Sequence, residues 1–319
     1  MDYRKLQKLG GGTLFVSMPK AWVEANGLKK GDVVGLEEAT SGILVVSVEK
    51  SGASRAGDPA SLTVYGDDMM YVRREVVAAY LSGRDIIRVQ FRPHGYRTRR
   101  MAKEVAKELL GLELVEEDQQ SVTFHYMLDT DVMVPSKIFS RMNALSKSMY
   151  VDATRDLPAV DQDLMLDILE RDGEIDRLYF LGVRMLRQAA SNAAEAARMG
   201  LTNTQALDYR VAFHHLEYLA DMAHRLVEQI QRTGPDEPQS RALKSTAAQL
   251  SSLQDLAYLY FIGARKEKYQ EFLTSSAAAY RSMEAVGEGM RDVLASLREM
   301  HRLIVDIADL AGTLYPYVR

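Results

Sequence analysis

The segment YRKLQKLGGGTLFVSMPKAWVEANGLKKGDVVGL, residues 3–36, combines strand-like runs, a glycine turn and a helix start. Gly10, Gly11 and Gly12 predict a turn, because glycine enters positive φ without steric cost. Pro19 suits the first position of a helix, where its missing N–H is not needed. The expected elements are strands over 3–9, 14–17, 33–36 and 43–48 and one helix over 20–25. Their order is β, β, short α, β, β, and a piece this small is expected to associate with a second copy.

This segment is basic although the whole chain is acidic. The net charge of the 319 residues is −4, whereas residues 1–30 carry +4, so the remainder carries −8. The six basic residues of this stretch are Arg4, Lys5, Lys8, Lys20, Lys29 and Lys30. Local positive charge is the feature that meets nucleic-acid phosphates, so the N-terminus is a candidate DNA-binding module.

The order of basic strand, glycine turn, Ser17-Met18-Pro19-Lys20, short helix and Leu28-Lys29-Lys30-Gly31-Asp32 resembles the AbrB/MazE/SpoVT family of swapped-hairpin domains. The resemblance implies a homodimer in which two chains close one β-barrel. It also implies a DNA-facing surface that includes Arg4, Lys5, Lys8 and Lys20. Such a dimer would carry +8 and bind DNA in a salt-dependent way. The alternative is a dimerisation or antitoxin-like module without DNA contact.

Residues 61–128 predict a second, α+β domain, which follows a Gly/Ser/Ala/Pro linker at residues 51–60. Alternating and helical periodicities give the order βαβαββ, typical of a sheet covered by two helices. Residues 92–107 hold six basic side chains against Glu104. This run is either an anion or nucleic-acid patch or a solvated helix face, and no motif assigns the domain a role.

Helical periodicity fills residues 131–319. The expected helices span 136–157, 160–199, 204–232, 238–264, 267–286 and 289–317, with Gly and Pro at the breaks. Long helices with short loops favour antiparallel bundles. We expect one three-helix bundle over 131–232 and another over 236–319, after a first domain over 1–50.

Carboxylates recur at i and i+4 in the first of these bundles, at Asp172 and Asp176 and again at Glu217 and Asp221. Residues at this spacing share a helix face. If the two helices are antiparallel neighbours, the four carboxylates converge, and such oxygen-rich sets bind Mg²⁺ or Mn²⁺, or iron or zinc through bridging carboxylates. The alternative is a solvated face paired with nearby arginines, of which Arg177, Arg210 and Arg225 are in range.

The runs ILERDGEIDRLYFLGVR (168–184) and HLEYLADMAH (215–224) resemble the PhoU family. In that family each three-helix bundle has an E/D-x-x-x-D motif on its third helix. Glu217 and Asp221 match it fully; in the second bundle Asp309 matches the last acid, but Val305 replaces the first. The resemblance implies metal-binding bundles, a role in phosphate uptake, and a phosphate-transporter ATPase as a protein partner.

No catalytic motif accompanies these features: the sequence has no P-loop, G-x-S-x-G or H-E-x-x-H, and no cysteine. We therefore expect a non-enzymatic protein. The absence of a signal-like or membrane-spanning apolar stretch predicts a cytoplasmic protein without membrane insertion. The expected fold is multidomain: an N-terminal swapped-hairpin β-barrel, a small α+β domain and all-α tandem three-helix bundles.

The expected function is a DNA-binding regulator of phosphate homeostasis that senses through its helical bundles. The alternative is a PhoU-type protein that inhibits a phosphate transporter by protein contact and uses its N-terminal module only to dimerise. Specific, salt-dependent DNA binding separates the two. A third interpretation gives the metal cluster the main role.

Overall fold

The computed structural model describes residues 4–9, 13–39, 43–48, 60–63, 68–92, 94–128, 133–159, 161–263 and 268–314. The chain divides into two compact units, Met1–Ala56 and Gly57–Arg319. The first unit has short strands and a short helix, whereas the second has a mixed sheet and a long series of helices. The glycine turn predicted at residues 10–12 and positions 51–59 of the predicted linker lie outside the described residues.

The first unit has the predicted element order. Its elements are β1 (Gln7–Leu9), β2 (Thr13–Phe15), α1 (Lys20–Ala25), β3 (Gly35–Ala39) and β4 (Ile43–Ser47). β1 pairs with β2 and β3 with β4, both antiparallel. The turn before β3 is closed by the Asp32 carboxylate, which accepts a hydrogen bond from the Lys29 N–H at 2.7 Å. A closed swapped-hairpin barrel needs strands from a second chain and stays a prediction.

The second unit begins with the α+β fold that the periodicities predict. Its elements are β5 (Ala60–Thr63), α2 (Met69–Leu81), β6 (Ile86–Gln90), α3 (Tyr96–Lys107), β7 (Leu112–Glu117) and β8 (Ser121–Tyr126). The strand order is β5-β6-β8-β7; β5 is parallel to β6 and the other pairs are antiparallel. Val72, Val76, Ile87, Val105 and Phe124 are buried in one core between the sheet and the two helices.

Long helices follow. They are α4 (Pro135–Arg155), α5 (Gln162–Ser191), α6 (Ala193–Arg198), α7 (Asn203–Thr233), α8 (Glu237–Phe261), α9 (Tyr269–Ser282) and α10 (Arg291–Leu314). The prediction of one helix over 160–199 was wrong, because Asn192 adopts an extended conformation (φ −141°, ψ 115°) and ends α5. Short polar side chains such as Ser191 and Asn192 compete for backbone hydrogen bonds and weaken a helix there.

Capping boxes define where two of the helices begin. Thr202 and Gln205 exchange side-chain and backbone hydrogen bonds at the start of α7, and Asp236 and Gln239 do so at the start of α8. Gly234 ends α7 at φ 61°, a left-handed conformation that glycine tolerates best. These local signals account for the close match between the predicted and observed bounds of α7 and α8.

The helices share one continuous apolar core rather than two separate ones. Phe139 of α4 lies 4.5 Å, ring centre to ring centre, from Phe261 of α8. A buried polar network also joins α4 to α8: the amide nitrogen of Gln254 donates to Asn143 Oδ1 at 3.0 Å, and Tyr150 donates to Gln254 Oε1 at 2.8 Å. The first and second groups of helices therefore form one body.

None of the helices among the described residues combines the length and apolarity that crossing a membrane would require.

Candidate functional site

The four predicted DNA-facing side chains lie on the surface of the first unit. Arg4, Lys5 and Lys8 are exposed, as is Lys20 at the start of α1. Lys20 Nζ is 3.7 Å from Glu24 Oε1 one turn later. This is a surface ion pair of small energetic value, so it leaves the ammonium available to another anion.

The first unit leaves its apolar side chains uncovered. No described side chain among residues 4–48 is buried. Leu6, Val33 and Leu36 are 67%, 79% and 64% exposed. Large exposed apolar patches often mark association surfaces, so these exposed side chains are candidates for such a surface.

The structure brings the predicted acidic residues together. Asp172 and Asp176 project from α5, and Glu217 and Asp221 from the neighbouring helix α7. His224 Nδ1 lies 3.0 Å from Asp172 Oδ2, and this contact links the two helices. We call Asp172, Asp176, Glu217 and Asp221 the acidic cluster.

The acidic cluster is strongly coupled electrostatically. Partial burial, with the charges of Asp221, Asp176 and Asp172, raises the pKa of Glu217 to about 7. Partial burial, with the charges of Asp172 and Asp221, raises the pKa of Asp176 to about 6. The pKa of Asp221 is also raised, by burial first and then by Asp172. Neighbouring carboxylates thus disfavour the ionisation of Asp176, Glu217 and Asp221, as expected for like charges that share a site.

The cluster does not have the geometry of a preformed metal site. Within the part of the chain that the structure describes, no group of three or more His, Asp or Glu side chains is arranged to hold a metal ion. Nearby arginines offset the repulsion only in part: Arg210 lowers the pKa of Glu217 and Arg225 that of Asp221, yet both pKa values stay raised. The cluster is therefore an acidic surface that retains much of its mutual repulsion.

Asp309, the predicted acid of the second bundle, interacts with a carboxylate that is not part of this cluster. Burial and the charge of Asp306, on the same helix α10, raise its pKa. Asp306 in turn accepts a hydrogen bond from Arg302 at 2.5 Å. In the second motif Asp309 therefore interacts with an acid that already accepts from an arginine, and its role as a metal ligand stays a prediction.

Two residues that the sequence did not single out lie at the edge of the cluster. Glu108 and Arg73 come from the α+β fold and form an ion pair. The charge of Glu108 raises the pKa of Asp176 and that of Arg73 lowers it. The α+β fold therefore contributes to the electrostatics of the cluster, which no pattern along the chain could have indicated.

Arg184 of α5 also connects the helices to the α+β fold. Its side chain is fully buried, and it donates to the carbonyl oxygens of Tyr80 and Arg84 at 2.7 and 2.9 Å. Its Cζ is 4.0 Å from the ring centre of Tyr126, a cation–π distance. We call this set of contacts the arginine clamp.

The basic run over residues 92–107 is paired in part, through at least three of its six cations. Arg99 and Lys103 both contact Glu117 of β7, at 3.4 and 2.5 Å. Arg100 pairs with Glu104 one turn later at 3.2 Å. These pairs occupy Arg99, Arg100 and Lys103, and both interpretations of the run stay predictions.

A comparison with known protein families gives a match for the N-terminal module. Residues 7–53 match the model of the family described as "Antidote-toxin recognition MazE, bacterial antitoxin". No curated protein and no solved structure matches the chain. The chain thus carries a MazE/AbrB-type domain at its N-terminus, ahead of a large helical part. The PhoU resemblance of that helical part rests on its sequence motifs.

Proposed function

We propose that this protein is a homodimeric, DNA-binding transcriptional regulator. The observation that carries the proposal is the match of residues 7–53 to a family of regulatory antitoxin domains, with exposed cations on the same module. The helical part is the sensor in this proposal, and the protein has no catalytic role.

Dimerisation follows from the uncovered apolar side chains of the module. Leu6, Val33 and Leu36 expose apolar surface that a second copy would remove from water. Removal of such surface from water favours association. We propose that a swapped-hairpin barrel made of two chains buries this surface.

DNA binding follows from the charge that a dimer would collect. Arg4, Lys5, Lys8 and Lys20 from two chains give eight cations on one small body, and each contact with a phosphate releases counterions. Arg4 is also the arginine that this segment offers for bidentate reading of guanine in the major groove. We place the DNA on the surface that these side chains form.

We propose phosphate homeostasis as the process that is regulated, on the strength of the PhoU-like motifs in α5 and α7. The acidic cluster is the feature that a sensor would use. The raised pKa values of Asp176, Glu217 and Asp221 reflect a repulsion that a bound cation would relieve, and Fe, Zn, Mg or Mn suits such oxygen donors. Because the described side chains are not arranged to hold a metal ion, binding would require side-chain rearrangement.

Selection of genomic DNA by the purified chain tests the proposal. Fragments from upstream of phosphate-transport genes should be enriched, and the Arg4→Ala/Lys5→Ala/Lys8→Ala variant should enrich none. Elemental analysis of the purified protein tests the metal: it should be stoichiometric and be lost in an Asp172→Ala/Asp221→Ala variant. Its absence from the wild type would remove the metal from the proposal and leave DNA binding intact.

A second candidate function is regulation by protein contact alone. The matched family is described by recognition of a toxin, and uncovered apolar side chains suit a protein partner as well as a second copy. The module would then serve to dimerise, and the helices would inhibit a phosphate transporter through its ATPase subunit. An intact dimer that enriches no DNA fragment but lowers the activity of that ATPase would favour this function.

A further inference from the structure

An open groove of about 660 Å³ runs along α2, beside α5. Its apolar part consists of Val77, Ala78 and Leu81 of α2 and Phe180 of α5, and Met70 and Tyr71 extend it toward the start of α2. Met70 is 75% exposed. Surveyed small-molecule sites have volumes of roughly 300 to 1,000 Å³ and mainly apolar walls, and the groove meets both criteria.

Three arginines surround this apolar floor. Arg73 pairs with Glu108, and Arg74 Nη2 is 3.6 Å from Glu75 Oε1. Arg187 of α5 makes no hydrogen bond or ion pair with any residue in the described part of the chain. The acid at the groove, Asp68, caps α2 by accepting from the Tyr71 N–H at 3.0 Å. The groove therefore combines an apolar floor with one arginine, Arg187, whose charge is not paired in the described part of the chain.

We propose that this groove binds a medium-chain fatty acid. The acyl tail lies on Val77, Leu81 and Phe180, and the carboxylate meets Arg187 and Arg74 at the rim. Removal of the tail from water drives binding, and the guanidinium groups orient the head group through charge-assisted hydrogen bonds. The open, elongated shape suits a linear chain better than a compact ring system.

The charge and the size of the groove argue against other occupants. A free inorganic anion would leave the apolar floor uncovered, so it would use only part of the site. A folded protein partner usually buries about 800 Å² on each side, more than one face of a 13-residue helix and a single phenylalanine offer. An uncharged apolar molecule would leave Arg187 unused.

The groove lies where a bound ligand could regulate the protein, and in this proposal the α+β fold is the ligand-binding part. Arg73 lines the groove and pairs with Glu108, which lies at the edge of the acidic cluster. The last turn of the same helix α2 supplies the Tyr80 carbonyl to the arginine clamp. An occupant of the groove therefore contacts the helix that joins the α+β fold to the bundle.

Calorimetric titration of the full-length protein with octanoate, decanoate and dodecanoate, each below its micelle concentration, tests this inference. The dissociation constant should fall about three- to fourfold with each added methylene, because each buries further apolar surface. Decanol, which has the tail without the charge, should bind at least tenfold more weakly than decanoate. Acetate should show no measurable binding.

Two variants and one control locate the site. Arg187→Gln should weaken the binding of decanoate at least fivefold and leave the binding of decanol unchanged, since it removes the head-group contact alone. Ala78→Gln fills the exposed centre of the groove and should weaken the binding of both ligands. Arg177→Gln, on the same helix α5 but outside the groove, should change neither.

The inference is overturned if affinity does not depend on chain length, if decanol binds as tightly as decanoate, or if Arg187→Gln binds decanoate like the wild type. Circular dichroism of each variant separates loss of binding from loss of fold. The readout is direct ligand binding, so its outcome is independent of whether the N-terminal module binds DNA.

Discussion

Arg184 on α5 donates a hydrogen bond from Nη2 to the carboxylate of Asp85, just before β6, at 2.5 Å. The guanidinium is fully buried whereas the Asp85 side chain is 53% exposed, so the contact joins the helical core to the rim of the α+β fold. A buried cation is tolerated only when its donors and charge are compensated. Here two backbone carbonyls and one carboxylate accept from the Nη1 and Nη2 groups, and two tyrosine rings face the charge, whereas the buried Nε has no hydrogen-bond partner among the described residues.

The arginine clamp should be required for stability. Arg184→Met removes the cation and leaves the carbonyl oxygens of Tyr80 and Arg84 without these donors, so we expect the free energy of unfolding to fall by about 2 kcal/mol. Urea unfolding measures this loss. Arg187→Met, one turn later on the exposed face of α5, should change stability by less than about 0.5 kcal/mol. Equal effects of the two substitutions would contradict a structural role for the clamp.

The close packing of α5 on α7 depends on Gly182. A Cβ placed there would lie 2.2 Å from the ring of Phe213, far inside van der Waals contact. Gly182→Ala should therefore cost about 1 to 3 kcal/mol by overpacking, offset only in part by the better helix propensity of alanine. Thermal unfolding would register the change as a lower melting temperature.

Gly173 provides the matched control on the same helix. A Cβ at this position meets no heavy atom within 4 Å. Gly173→Ala should raise the free energy of unfolding by up to about 1 kcal/mol through helix propensity. If both glycine substitutions shifted stability in the same direction, the close contact of α5 with α7 at Gly182 would be contradicted.

The acidic cluster predicts a specific pH dependence in the metal-free protein. The pKa of Glu217 is raised from 4.5 to about 7, so the folded state holds this proton more tightly than the unfolded chain. That contribution to stability is complete below the unfolded pKa and is lost as pH rises through the folded pKa. Stability should therefore decline between about pH 5 and pH 8.

Glu217→Gln should flatten this decline, because an amide does not ionise. We expect it to raise the free energy of unfolding at about pH 8 by about 1 kcal/mol, measured by urea unfolding with a chelator present. Glu170→Gln, at an exposed position of α5, serves as the control and should leave the slope unchanged. If the stability of Glu217→Gln fell with pH as steeply as that of the wild type, ionisation of Glu217 would not account for the decline.

The uncovered apolar side chains of the first unit predict a dimer that polar substitution disrupts. Val33→Asp/Leu36→Asp places charge on surface that a second copy would bury, and the dimer should dissociate. Light scattering after gel filtration should give about twice 35.8 kDa for the wild type. A Lys30→Ala variant should keep that mass. A wild type that elutes as one chain would contradict the dimer.

Local patterns predicted much of the helical part. Capping residues such as Thr202 and Asp236, and the apolar periodicity between them, are properties of short segments. The i, i+4 spacing of Asp172 and Asp176 likewise predicted that these two members of the acidic cluster lie on one face of α5, because helix geometry determines which residues share a face. The convergence with Glu217 and Asp221 required the packing of α5 against α7.

Other features depend on contacts between distant parts of the chain. Arg184 lies about a hundred residues from Tyr80 and Asp85, so nothing near it in the sequence indicates a buried cation. Arg73 and Glu108 reach the cluster only through the fold of the α+β part. The basic residues 99–103 predicted positive charge, but not the acidic partner that β7 supplies.

Binding to a selected DNA fragment, followed by fluorescence anisotropy across a salt series, tests the central claim most directly. If a dimer contacts DNA through Arg4, Lys5, Lys8 and Lys20 of both chains, the slope of log affinity against log salt should be about −7. The Arg4→Ala/Lys5→Ala/Lys8→Ala variant should reduce that slope to about −2 and lose tight binding. A dimer that binds the fragment no better than random DNA, or a variant with an unchanged slope, would contradict the account.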